Sequence, residues 1–183
     1  MELDKLYVRN SNPLLFDDEQ EETNCGSFAL NVTKWYTPYL REDYVEDESL
    51  MKYCEYEREG MAREMLLEGY SREEVMRVIT ELDFEFIMKT CPWLMPIKKE
   101  DITPTDKVIA YRLSLEDVDP EEFDMDSCGD FHFRLFVDGE WYEKNGAGPV
   151  HIIDNPEEDD VWEVDGWLVY DGPIKYAKFV EEK

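Results

Sequence analysis

DFHFRLFVDGEWYEK, residues 130–144, is the stretch that decides the fold. Two runs of alternating apolar and polar residues flank Asp138-Gly139, a dipeptide typical of two-residue β-hairpin turns. The run KVIAYRLSL before this hairpin, and VHII and IKYAKFV after it, have strand composition as well. The sequence therefore predicts an antiparallel sheet in the C-terminal half, residues 105–183.

The hairpin also determines which residues face each other across the two strands. Counting back from the turn places Glu143 opposite Arg134 and Asn145 opposite His132. Directly opposed and diagonal side chains of paired strands lie close enough to interact. Either Asn145 or Glu143 can therefore orient the imidazole of His132.

The N-terminal half, residues 24–95, has the patterns of helices. In TNCGSFALN, residues 23–31, Asn24 is suited to an N-cap, and Phe28, Val32 and Trp35 are spaced for one helical face that ends before Pro38. A second helix is predicted over about residues 48–68 from the apolar period. A Ser-x-x-Glu capping box at residues 71–74 predicts the start of a third.

Helices followed by an antiparallel sheet define an α+β class. The 183 residues, of which 43% are hydrophobic, fit a single domain spanning residues 1–183. Residues 1–23 precede the helical half and could form a small hairpin followed by an acidic segment.

Cys25 is a candidate nucleophile because it follows the predicted N-cap. A helix N-terminus favours the thiolate, and a nucleophilic thiol needs a base. The chain has two histidines, and His132 in the sheet suits the role better than His151, which is flanked by aliphatic residues. Cys25, His132 and Asn145 would form a Cys-His-Asn site. The alternative is that Cys25 is a small core residue and His132 a structural strand histidine.

The charge is strongly negative: 19 Lys and Arg face 46 Asp and Glu, for a formal net charge of -27. This charge argues against direct binding to nucleic acid or to an anionic membrane and favours a basic protein partner. It could also serve solubility alone. Acidic runs between the predicted elements would supply the contacts: Asp17, Asp18, Glu19, Glu46, Asp47, Glu48, Glu121, Glu122, Glu157 and Glu158.

No cofactor or metal site is expected. The four cysteines are widely spaced without a C-x-x-C pair, the Cys128 and His132 pair lacks further ligands, and there is no glycine-rich phosphate loop. The chain has no apolar signal region and no apolar run of about 18 residues. It is therefore expected to be cytoplasmic, with reduced thiols and no membrane span.

The motifs NCGSFALN, WYTPY, DFHF, DGEWYEKNG and YDGPIKYAKF resemble a family of small proteins encoded by phages and mobile elements of Gram-positive bacteria. The resemblance covers roughly residues 24–39 and 128–178. It implies a papain-like fold with Cys25 as nucleophile and His132 as base. Where the family tends to have a histidine before the lysine of its hairpin motif, this chain has Glu143, which puts the chemistry in question.

Two functions follow as expectations. Small acidic proteins of mobile elements include anti-CRISPR proteins, so the first is an inhibitor that binds a basic host nucleic-acid-handling protein, such as a CRISPR effector nuclease or its guide RNA complex. The alternative is an active thiol hydrolase, a peptidase or amidase, that uses Cys25 and His132 with Asn145 or Glu143.

Overall fold

The computed structural model describes residues 3–9, 24–32, 35–41, 48–115, 119–122, 131–144, 150–153, 162–164, 168–170 and 172–180. Three α-helices precede a mainly C-terminal antiparallel sheet, which confirms the predicted α+β class. The helices are α1 (Cys25–Leu30), α2 (Glu55–Leu67) and α3 (Arg72–Thr90). No helix in these ranges combines the length and the apolar character needed to cross a bilayer.

Helix α1 is shorter than the sequence predicted. It ends because Asn31 adopts a left-handed conformation, with φ 60° and ψ 47°, and its N–H bonds back to the Ser27 carbonyl. Val32 then pairs with Arg9 in a single β-bridge, and the side chain of Trp35 is 48% exposed. The prediction that Val32 and Trp35 belong to this helix was wrong.

The predicted second helix is interrupted near its start. Residues Glu48–Tyr53 form a 3-10 helix, and α2 begins only after Cys54, which is extended. The cause is a non-local contact: the Leu40 N–H donates to the Tyr53 carbonyl at 2.8 Å, and the Leu40 carbonyl accepts from the Glu55 N–H at 2.9 Å. Two backbone hydrogen bonds to Leu40 thus take the place of one turn of the predicted helix.

Helix α3 begins as predicted, since the Ser71 hydroxyl accepts a hydrogen bond from the Glu74 N–H at 3.2 Å. Its apolar face buries Val75 and Ile79. In the N-terminal segment, Leu3–Lys5 forms a 3-10 turn. Residues 10–23, which contain the second arm of the predicted hairpin and the acidic run, lie outside the described residues.

The strands form one six-stranded antiparallel sheet, in the order β1-β8-β2-β3-β4-β5, and a separate β6-β7 pair. All five runs predicted as strands contain one. Strands β1, β6 and β7 were not predicted; β1 lies at the sheet edge and ends in a proline, which an edge tolerates. The bounds are β1 Leu94–Pro96, β2 Val108–Leu113, β3 Phe131–Val137, β4 Glu140–Lys144, β5 Val150–Ile152, β6 Trp162–Val164, β7 Leu168–Tyr170 and β8 Lys175–Phe179.

The β3-β4 hairpin has the predicted register. Val137 pairs with Glu140 and Arg134 with Glu143. Asp138 and Gly139 both have positive φ, 53° and 79°, as a two-residue hairpin turn of the primed type requires. Asn145 lies outside the described residues, so its pairing with His132 stays a prediction.

Alternation along β3 sends Phe133 and Leu135 into the main core, where residues of α1 and α3 also pack. His132 and Arg134 alternate with them on the other face of the strand and are nevertheless buried. Within β3, buried ionisable side chains therefore lie on the face opposite its apolar side chains.

A second buried ionic group connects the helices to the sheet. Arg58 of α2 forms a bidentate ion pair with Asp83 of α3, at 2.9 Å from Nε to Oδ1 and 2.7 Å from Nη2 to Oδ2. The Tyr111 hydroxyl on β2 donates to the same carboxylate at 2.5 Å. These contacts connect α2, α3 and β2.

Candidate active site

Asn24 determines where Cys25 lies. Its side-chain oxygen accepts from the Ser27 N–H at 2.9 Å, which caps α1, and from the Tyr36 N–H at 3.2 Å. Its amide nitrogen donates to the Tyr36 carbonyl at 2.8 Å. The buried Asn24 therefore attaches the first turn of α1 to the segment that follows the helix, and Cys25 is the first residue of that turn.

Gly26 lets α1 lie close to β3. A Cβ atom at this position would be 3.0 Å from Cβ of Tyr36 and 3.3 Å from Cε2 of Phe133. Both distances are shorter than ordinary van der Waals contacts. The glycine after Cys25 thus allows the helix start to approach the strand that carries His132.

His132 lies between a thiol and a carboxylate. The side chain of Cys25 lies close enough to its imidazole to raise the pKa of His132. On the other side its Nε2 contacts Oε1 of Glu143 on the neighbouring strand β4. The structure brings three of the four predicted catalytic residues, Cys25, His132 and Glu143, close together.

The electrostatics favour a protonated ring. Burial by itself lowers the pKa of His132, but hydrogen bonds and charge interactions with Cys25 and then Glu143 outweigh burial and raise this pKa to about 9. The imidazole is therefore an imidazolium at neutral pH. A cation beside a cysteine favours its thiolate, the reactive form.

Arg134 lies beside the candidate site and was not among the predicted site residues. Its Nε lies 3.4 Å from Oε1 of Glu143, the same oxygen that His132 contacts, and both side chains are buried. A guanidinium beside a buried carboxylate favours the ionised form. The signal was present in the sequence, because the hairpin count already places Arg134 directly opposite Glu143.

The length of α1 changes one sequence argument. A helix of six residues has fewer than two turns, so few peptide dipoles add up at its start. The expectation that the helix N-terminus activates Cys25 is therefore weak.

Cys54 and Cys91, the other described cysteines, are not part of the Cys25-His132-Glu143 cluster. Cys54 and Cys91 are buried free thiols, and burial raises the pKa of Cys91 to about 12. His151 is the β5 residue paired with Glu143, but its side chain is not among those described. Cys128 and Asn145 lie outside the described residues. Cys25 is buried as well, and it is the one described cysteine that contributes to the raised pKa of His132.

The acidic residues proposed as a binding surface are described only in part. Glu48, Glu121 and Glu122 are exposed, as expected of a binding surface. Glu121 and Glu122 form a 3-10 turn with Pro120, and Glu48 begins the 3-10 helix before α2. The others lie outside the described residues: Asp17, Asp18, Glu19, Glu46, Asp47, Glu157 and Glu158.

Comparisons with family models, curated proteins and solved structures found no match for this chain. Within the described ranges, no group of three His, Cys, Asp or Glu side chains could hold a metal ion.

Proposed function

We propose that this protein is a thiol hydrolase that cleaves amide bonds with a papain-like Cys25-His132-Glu143 site. The observation that carries the proposal is that His132 contacts the buried carboxylate of Glu143 while Cys25 lies close enough to raise the pKa of the same imidazole. A nucleophile, a base in contact with it and a third group that orients the base are the parts that covalent acyl transfer requires.

Each residue has a defined role in the reaction. The Cys25 thiolate attacks the carbonyl carbon of the amide, and the imidazolium of His132 gives its proton to the leaving amine as the C–N bond breaks. Neutral His132 then takes a proton from water as the water oxygen attacks the thioester. The acid product leaves, and the thiolate and the imidazolium are regenerated. Glu143 orients the ring throughout the reaction and stabilises its positive charge whenever His132 is protonated.

Glu143 counted as a departure from the family that the motifs resemble. Its contact with His132 supports the opposite interpretation, in which the carboxylate is the third member of the site. A carboxylate stabilises an imidazolium better than an amide does, because it carries a full negative charge. Asn145 is therefore not needed for the proposed site.

The test is a comparison of cysteine reactivities in the folded protein. Iodoacetamide should alkylate Cys25 faster than Cys54 and Cys91, because only Cys25 has an imidazolium beside it. His132→Ala should remove this difference, whereas the matched variant His151→Ala should keep it. Equal labelling of all three cysteines in the folded wild-type protein contradicts the proposal.

A second candidate function rests on the charge of -27. In this proposal the protein is an anti-CRISPR inhibitor in the cytoplasm of its host bacterium, where it binds a basic nucleic-acid-handling protein through acidic loops. The exposed Glu48, Glu121 and Glu122 support it. Neutralising these three residues as Gln should weaken binding to a purified CRISPR effector nuclease, while Cys25→Ala leaves it intact. The reverse pattern contradicts this candidate.

A further inference from the structure

Helix α2 carries an apolar stripe on its solvent side. The side chains of Tyr56 and Leu67 are 46% and 56% exposed, and Tyr70, just past the helix end, is 47% exposed. Residues 56, 60, 63 and 67 recur at the spacing that puts them on one face. Its opposite face packs through Ala62 into a core cluster. The exposed stripe is therefore additional to the face that stabilises the fold.

Gly60 lies in the middle of this stripe. Among the described residues, a Cβ at this position would meet nothing within 4 Å, and the φ of Gly60 is not in the left-handed region. Packing against the described residues thus gives no reason for a glycine, although glycine disfavours a helix interior. A partner that approaches the helix backbone closely would give one.

Acidic side chains form one border of the stripe. Glu57, Glu64 and Glu68 recur at helical spacing beside it, are exposed, and have no ion pair within the described part of the chain. Arg63 lies on the stripe, but its guanidinium donates to the backbone carbonyl of Glu121 at 3.4 Å. The surface formed by Tyr56, Gly60, Leu67, Tyr70 and this acidic border is here called the α2 face.

We propose that the α2 face binds a basic amphipathic helix of a partner protein. Exposed tyrosine and leucine side chains supply apolar contact area, and the acidic border complements Lys or Arg side chains beside the partner's apolar residues. A second copy of this chain is disfavoured as the occupant, because each copy carries a net charge of -27. The inference rests on the second candidate function for the basic character of the partner and is independent of the Cys25 site.

A synthetic peptide can test this surface directly. The probe is an amphipathic helix of about 18 Leu and Lys residues, long enough to span α2, and its matched control replaces every Lys with Glu. Fluorescence anisotropy should detect binding of the Lys peptide and no binding of the Glu peptide. Binding of the Lys peptide should weaken at high salt. Tyr56→Ser with Leu67→Ser should weaken binding about tenfold or more. Met95→Ser, which removes an exposed apolar side chain from β1, should leave it unchanged.

Gly60→Ala provides a second test, in which the stability of the fold should rise while peptide binding weakens. Alanine should raise the midpoint of thermal unfolding by about 2–4 °C, because it favours the helix and meets no neighbour. The same variant should weaken peptide binding by about tenfold, because its methyl group occupies the approach to the helix. A variant that is more stable and yet binds less well cannot be explained by damage to the fold.

Three results would overturn the inference: equal binding of the Lys and Glu peptides, no measurable binding of the Lys peptide, or equal losses in the Met95→Ser and stripe variants. Neutralising Glu48, Glu121 and Glu122 separates this inference from the candidate function itself. If those changes abolish binding to the CRISPR effector while the stripe variants bind it normally, the α2 face is excluded and the inhibitor function stands.

Discussion

Replacing Glu143 with glutamine tests the electrostatics of the candidate site most directly. Glutamine keeps the shape of the side chain and an oxygen that can accept a hydrogen bond, but it removes the negative charge beside His132. We expect Glu143→Gln to lower the pKa of His132 from its value of about 9. The imidazolium should then lose its proton at a lower pH than in the wild type.

The size of the change follows from the contacts. An opposite charge at contact distance typically shifts a pKa by about 1–3. In the variant, Arg134 would also keep its positive charge near the ring without the carboxylate that now lies between them. The hydrogen bond retained by glutamine acts in the other direction. We therefore expect the pKa of His132 to fall by at least about 1, which is about 1.4 kcal/mol or more.

NMR titration can measure this pKa without ambiguity, because the chain has two histidines. The His151→Gln variant identifies which imidazole signal belongs to His132. The pH dependence of Cys25 alkylation by iodoacetamide gives a second readout, and the part of this profile that follows His132 should move to lower pH by at least about 1 in Glu143→Gln. The matched control is Glu140→Gln, which neutralises an exposed carboxylate at the start of the same strand.

Two results would refute the reasoning. The first is a wild-type His132 that titrates near the ordinary histidine value of about 6.5. The second is a Glu143→Gln variant whose His132 pKa and pH profile of Cys25 alkylation both equal those of the wild type. Either would mean that Glu143 does not stabilise the imidazolium, and the hydrolase proposal would lose its third member.

Three further predictions concern other parts of the structure. Gly26→Ala should slow Cys25 alkylation, because its Cβ would push α1 away from β3; an unchanged rate would argue against the close approach. Asp83→Asn should lower the free energy of unfolding by about 3–5 kcal/mol, measured by urea denaturation, because Arg58 is left as a buried charge without its carboxylate. The raised pKa of His132 stabilises the folded state by about 3 kcal/mol below pH 6.5, and this stabilisation is lost as the pH rises through about 9. His132→Gln should remove that component of the pH dependence.

The parts of the site that lie close together in sequence could be predicted. Alternation and one Asp-Gly turn are enough to define the register of β3 and β4, so the pattern of residues alone correctly places Glu143 near His132. The pairing of the Cys25 helix with β3 was only a hypothesis, because no local pattern specifies which strand a helix contacts. Leu40, which interrupts the second helix through its bonds to Tyr53 and Glu55, was unpredictable for the same reason.

The described part of the chain contains two buried ionic groups, and they differ in the elements of the fold that they connect. A buried ion pair contributes little net stability compared with apolar residues of the same volume. Arg58 and Asp83 at least connect two helices to the sheet through Tyr111, so they have a structural role. Arg134, Glu143 and His132 lie on two strands that the β3-β4 hairpin already joins, where backbone bonds fix the register. This group also lies beside the side chain of Cys25 at the start of α1, which is where the proposed hydrolase would use the positive charge of His132.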